Sequence, residues 1–232
     1  MPNQPLAEVF GFPIDNMTEE AERHRTNRLC PFGNSVPNCT KTSIENPLGV
    51  CSVLGTGGEA VITCPVRFQE GWRIASDAAG FFFPPGAAWT SLTEVRLKDS
   101  AGKSAGNIDV VLLSYDALGR IVDYGALEVQ VSFPGGSAFA DSILNDSGRK
   151  RAVAMNTQAY GTLPPLDEVE PADANLAFFG YDLVRDTSSS RYVLTLNKTI
   201  YARQEAGSTE TGGEKAAFTR QLEKRLGIVP AK

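Results

Sequence analysis

The stretch "NIDVVLLSYDALGRIVDYGALEVQVS", residues 107 to 132, decides the fold. Two runs rich in apolar and β-branched residues, 108–114 and 121–132, flank a polar turn containing Asp116 and Gly119, which predicts a β-hairpin. Side chains alternate faces along a strand, so Glu128 and Gln130 share one face while Val129 points into the opposite layer. Closing the hairpin about its turn brings Asp109 to roughly the level of Glu128. A further acid, Glu94 in "TSLTEVRLKD", lies on a preceding element. Carboxylates converging amid apolar residues are costly unless a positive charge sits between them, and a divalent cation is the natural one. Magnesium prefers carboxylate oxygens and waters, and it leaves room for a phosphate. Acids to hold a metal and a polar group to position water are the equipment of phosphodiester hydrolysis. The bare spacing fits equally an edge-strand face that shows polar residues to solvent.

Working outward, 232 residues with 42% hydrophobic content can bury one substantial core or two modest ones. No run approaches the roughly 18 apolar residues of a membrane span. The start "MPNQPLAEVFGF" lacks the basic and apolar blocks of a signal peptide, so a cytoplasmic chain without a membrane partner is expected. A formal net charge of -5 argues against non-specific coating of nucleic acid and leaves a specific DNA partner open.

All four cysteines, Cys30, Cys39, Cys51 and Cys64, fall in one short segment. In a reducing compartment such clustering favours four thiolates around a tetrahedral metal over disulfides or free buried thiols. Ligand softness does not separate zinc from a single iron. The gaps exceed the C-x2-C spacing of common zinc modules, so each sulfur comes from its own loop or strand end. "GVCSVLGTGGEAVITCPVR" reads as two short strands joined by the Gly55–Gly58 turn, delivering Cys51 and Cys64 near the hairpin's ends. "GTGG" lacks the Lys-Ser/Thr of a nucleotide-binding loop.

"IDNMTEEAERHRTNR" predicts a short helix capped by Asp15 or Asn16, with His24 on its surface. Residues 66–80 predict another helix, with Phe81, Phe82 and Phe83 as a core wedge. Near the C-terminal end, "NLAFFGYDLVRD" and "SRYVLTLNKTIYARQ" read as a strand pair about a "TSSS" turn. A last helix carries Phe218, Leu222 and Leu226 on one stripe and stops at Gly227. "LPPLDEVEPADANL", 163–176, is Pro-rich and acidic and reads as an extended connection or an interface arm. There are no internal repeats.

The order "AEVFG", "CPFGN", "GVCSV", "CPVR", then Glu94, Asp109 and "YGALEVQ", resembles the NotI-type restriction endonucleases. The motifs cover about residues 7–80 and 92–132. The resemblance implies an α/β fold: a PD-(D/E)xK restriction-endonuclease-like mixed sheet flanked by helices, with a small N-terminal four-cysteine metal lobe. It implies two units, residues 1–70 with the first helix and the lobe, and 71–232 with the catalytic core. It also implies that Cys30, Cys39, Cys51 and Cys64 bind structural iron, or zinc. Asp109 and Glu128 would hold catalytic Mg2+, and Gln130, replacing the usual lysine, would orient the attacking water. Glu94 would be the upstream acid. The implied enzyme is a homodimeric type II endonuclease hydrolysing double-stranded DNA, and family members cut GC-rich palindromes.

Beyond residue 132 the chain departs from the family and is shorter than the family's pattern. Arg149, Lys150 and Arg151 form a basic triplet suited to phosphate contacts, or a solvated loop. Two other classes fit the same residues: a metal-dependent nuclease of defence or repair without a strict site, and a non-catalytic DNA-binding protein with a structural metal lobe. Cleavage assays separate all three.

Overall fold

The computed structural model describes residues 5–33, 37–41, 43, 45–55, 57–98, 103–130, 151–156, 175–203 and 212–227. Its centre is the expected hairpin: β6 (Ser104–Tyr115) and β7 (Ile121–Gln130) pair antiparallel from Ser114↔Asp123 to Val110↔Leu127. Asp116 forms the turn by accepting the backbone N–H groups of Leu118 and Arg120, each at 2.9 Å. β5 (Trp89–Lys98) lies antiparallel along the other side of β6 and ends that side of the sheet.

β8 (Arg151–Asn156) runs parallel to β7, with Glu128 beside Val153 and Gln130 beside Met155. β9 (Asn175–Asp186) is parallel to β8 and antiparallel to β10 (Arg191–Arg203), which follows it along its whole length. These parallel and antiparallel pairs make the sheet mixed. With one flank of β9 taken by β10, β8 and β4 (Ala60–Ile62) share the other, β4 meeting β9 at Ala60↔Leu183. From β4 the sheet continues through β3 (Val50–Leu54), β1 (Leu6–Val9) and β2 (Phe12–Pro13). The strands of the N-terminal seventy residues are therefore hydrogen-bonded into the sheet that holds the hairpin.

Three α-helices are described. α1 (Glu19–Thr26) is capped by Thr18, whose hydroxyl accepts from Ala21 N–H, and not by Asp15 or Asn16 as expected. Asn16 instead braces the cap, accepting from the Thr18 backbone and hydroxyl at 3.0 and 2.8 Å. His24, expected on the surface, is buried with its ring 5.0 Å from that of Phe12. The helix expected over 66–80 is a 3-10 segment Pro65–Trp72, itself broken at extended Glu70 and left-handed Gly71, followed through left-handed Trp72 by α2 (Arg73–Phe82).

α2 covers one face of the sheet, packing Ile74, Ala75 and Phe82 with Leu112, Leu127 and Phe179. α3 (Gly212–Leu226) covers the other face at β5–β7, where Leu222 is fully buried among Val95, Ile108, Val111 and Leu113. Phe82 and Phe83 are buried and Phe81 packs at the margin, as a core wedge should. Its contact with β7 is close: a Cβ on Gly125 would lie 2.5 Å from the Phe82 ring, so glycine is required for this approach.

Candidate active site and cysteine lobe

The expected acids come to one level of three neighbouring strands. In β5 and β6 the pairs Thr93↔Val110 and Val95↔Ile108 bracket Glu94 and Asp109, which therefore lie opposite each other. One residue beyond Val110↔Leu127, the same register sets Asp109 against Glu128. Asp109 is anchored there, its Oδ2 accepting the Val129 backbone N–H at 2.8 Å. Glu94 is exposed, while Asp109 and Glu128 are half-buried. Gln130 is the last residue of β7, two beyond Glu128.

The backbone at this level is irregular. Glu94 is left-handed, with φ +53, a conformation that L side chains rarely adopt and that neighbouring contacts must hold in place. Leu92 and Val95, three residues apart, both pack beneath α3, as do Ile108 and Val111. Regular strands would point each of these pairs to opposite faces. Both strands thus switch faces at the level of Glu94 and Asp109.

Three hard-oxygen carboxylates on adjacent strands suit a magnesium ion completed by water and phosphate. Among the described residues, however, no three His, Cys, Asp or Glu side chains stand close enough to hold a metal ion as placed. The donor chemistry fits the ion.

All four cysteines line one cavity of about 200 Å3, and none is in a disulfide. Each arrives as the sequence suggested. Cys30 and Cys39 flank the bridge Leu29↔Asn38, Cys51 lies on β3, and Cys64 follows β4, its N–H donating to the Cys51 carbonyl at 3.2 Å. Burial pushes the Cys51 thiol well up, with the Glu8 carboxylate adding to it, and burial raises Cys30 too. Backbone N–H groups oppose this, those of Phe32 and Gly33 at the Cys30 sulfur and that of Gly11 at Cys51. Donors aimed at sulfur favour the thiolate, the form that binds metal, but as placed no three of the four cysteines stand close enough together to hold an ion.

The "AEVFG" motif gains a physical role. Phe10 and Gly11, both left-handed at φ +50 and +82, make the two-residue turn joining β1 to β2. Gly11 lies so close to Pro31 that a Cβ would meet its ring at 2.1 Å. The turn is thus wedged against the Cys30 loop, which brings the Gly11 N–H to Cys51.

A buried ionic network behind the lobe has no counterpart in the sequence reading. Glu8 and Arg67 are fully buried, with Arg67 Nε donating to Glu8 Oε2 at 3.2 Å and Ser52 Oγ donating to the same oxygen at 2.7 Å. Arg67 also bonds Glu70 and the Tyr192 carbonyl, and its guanidinium lies 4.2 Å above the Phe32 ring. Burial alone would lower its pKa, but the paired carboxylates of Glu8 and Glu70 hold it above the usual value. The local signal is an acid in the apolar run of "AEVFG" and an arginine in "CPVR", two motifs whose spacing does not reveal that they pair.

Arg149 and Lys150 lie outside the described residues, and Arg151 opens β8. Of the connection expected over 163–176, residues 163–174 also lie outside them, while Asn175 and Leu176 open β9 and so belong to a strand. Among the described residues no helix is long and apolar enough to cross a membrane.

No curated protein matches the chain. The family model described as restriction endonuclease NotI matches residues 8–143, a span that takes in the cysteine lobe, Glu94, Asp109 and the whole of β7 and that runs past residue 132, the expected end of the resemblance. That match extends over more than half of the chain, which belongs to the NotI restriction endonuclease family and so to enzymes that cleave DNA.

Proposed function

We infer that the protein is a type II restriction endonuclease, a PD-(D/E)xK-type enzyme hydrolysing double-stranded DNA at a GC-rich palindrome in a Mg2+-dependent reaction. The observation that carries this reading is the alignment of Glu94, Asp109 and Glu128 across three strands inside the matched region. Asp109 and Glu128 hold the cation, Glu94 serves as the upstream acid, and Gln130 accepts from and orients the attacking water. Magnesium, when bound, neutralises phosphate charge and lowers the pKa of water. The bond from Val129 N–H keeps the Asp109 carboxylate fixed, limiting the reorganisation needed to receive substrate.

Cys30, Cys39, Cys51 and Cys64 hold one structural iron or zinc, which ties the loop-rich segment around Phe10–Gly11 to the sheet and lets residues 1–70 act as a recognition lobe beside the core of 71–232. Arg149, Lys150 and Arg151 contact phosphate. Two chains related by a twofold axis read the palindrome and cut one strand each.

Mapping the ends left on DNA of known sequence tests the reading. Discrete fragments with one recurrent sequence at their ends support it. A smear indicates a nuclease without a strict site, and intact DNA with Mg2+, Mn2+ and Co2+ indicates a binding protein. For the lobe, elemental analysis should find about one iron or zinc per chain, and a metal-free protein with all four thiols freely titratable would remove that part.

A further inference from the structure

α3 lies beyond the matched residues, yet it reaches back to the left-handed kink at the acid row. Arg225 donates from Nη1 to the Glu94 carbonyl at 2.9 Å and from Nη2 to the Thr93 carbonyl at 2.5 Å. One turn earlier, Gln221 Nε2 donates to the Arg96 carbonyl at 2.8 Å. Between them Leu222 is fully buried beneath the kinked strands. β5 is the last strand on this side among the described residues, and helix side chains take up the carbonyls of Thr93, Glu94 and Arg96.

A left-handed, non-glycine residue inside a strand persists only where its surroundings over-determine it. A guanidinium presents its N–H groups in a rigid planar fork, and here two of them span the consecutive carbonyls that define the kink. A lysine ammonium has no such fork. We propose that Arg225 is a positioning residue of the nuclease site: by gripping the carbonyls of Thr93 and Glu94 it sets the backbone that aims the Glu94 carboxylate into the acid row. The C-terminal helix thereby completes the site from outside the family region. This inference rests on the nuclease reading above, with Glu94 as an acid of that site.

The test is a double-mutant cycle between Arg225→Ala and Glu94→Gln in the full chain, read by cleavage kinetics, by Mn2+ binding from the EPR signal of the free ion, and by DNA affinity in Ca2+. Arg225→Ala should lower kcat about tenfold to a hundredfold and weaken Mn2+ binding, with DNA affinity within about twofold of wild type, as expected when a supporting partner of a metal site is lost. In the Glu94→Gln background the same substitution should have little further effect. Arg225→Lys should recover only part of the loss, and Lys224→Ala on the neighbouring exposed position should behave as wild type.

Multiplicative losses in the cycle would overturn the proposal. So would a loss of DNA affinity with a shallower salt dependence, which would make Arg225 a phosphate contact. If Arg225→Ala unfolds, Arg225→Gln replaces it under the same criteria. A wild-type protein that leaves DNA intact removes the nuclease reading and this inference with it, whereas an active wild type with independent effects removes this inference alone.

Discussion

Gly125 shows how closely β7 is tied to the core. The Phe82 ring lies over it at a distance that excludes a Cβ, so α2 is held against β7 three residues before Glu128. Gly125→Ala should destabilise the protein by about 1–3 kcal/mol, the usual cost of forcing an extra methyl into a packed site. Urea unfolding measures this, and a neutral result would mean that Phe82 is free to move aside. Glu94 offers the complementary case, a left-handed residue with a side chain that a strained backbone must aim.

At the scale of elements, α2 is also fastened to β9, the Tyr181 hydroxyl donating to Asp77 Oδ2 at 2.5 Å. Burial first, then the hydrogen bond to Asp77 and the charge of its carboxylate, push the phenol above its ordinary value near 10. A group that folding keeps protonated contributes stability that is present below its unfolded pKa and is lost as pH rises toward the folded one. Wild-type stability should therefore fall above about pH 10 more steeply than that of Tyr181→Phe, while at pH 7 the variant should be less stable by about 1 kcal/mol. Parallel stability-versus-pH curves for the two proteins would contradict the coupling.

The elements were legible in the sequence to the extent that their signals are local. The β6–β7 hairpin, the β3–β4 hairpin and the strand pair β9–β10 follow from alternation and turn chemistry, and the antiparallel register then aligned Asp109 with Glu128 without further information. What stayed hidden depends on partners far along the chain. The left-handed Glu94 has no glycine to announce it, and its clamp comes from a residue 131 positions away. The parallel placement of β8 between β7 and β9 is a long-range pairing with no short-range signature. His24 is buried because the Phe12 ring lies over it, which helical periodicity in a charged segment could not reveal.

Across the whole molecule, one sheet joins two kinds of chemistry. Soft sulfur donors line a cavity beside β3 and β4, and hard oxygen donors line up across β5, β6 and β7. β9 links them, meeting β4 at Leu183 and β8 along residues 176–181. If the cysteine lobe reads DNA as proposed, such a scaffold would keep it in a fixed relation to the phosphate at the acid row, the condition under which binding at a specific sequence can be coupled to cleavage. The central claim is that the acid row cuts DNA, and single-turnover cleavage in Mg2+ by wild type and Asp109→Asn tests it most directly. Asparagine keeps an acceptor for the Val129 N–H, so the strand geometry should survive while the negative charge is lost. The account predicts a rate reduced by about a hundredfold or more, with the melting temperature and DNA affinity preserved. Asp109→Asn cutting at the wild-type rate would contradict it.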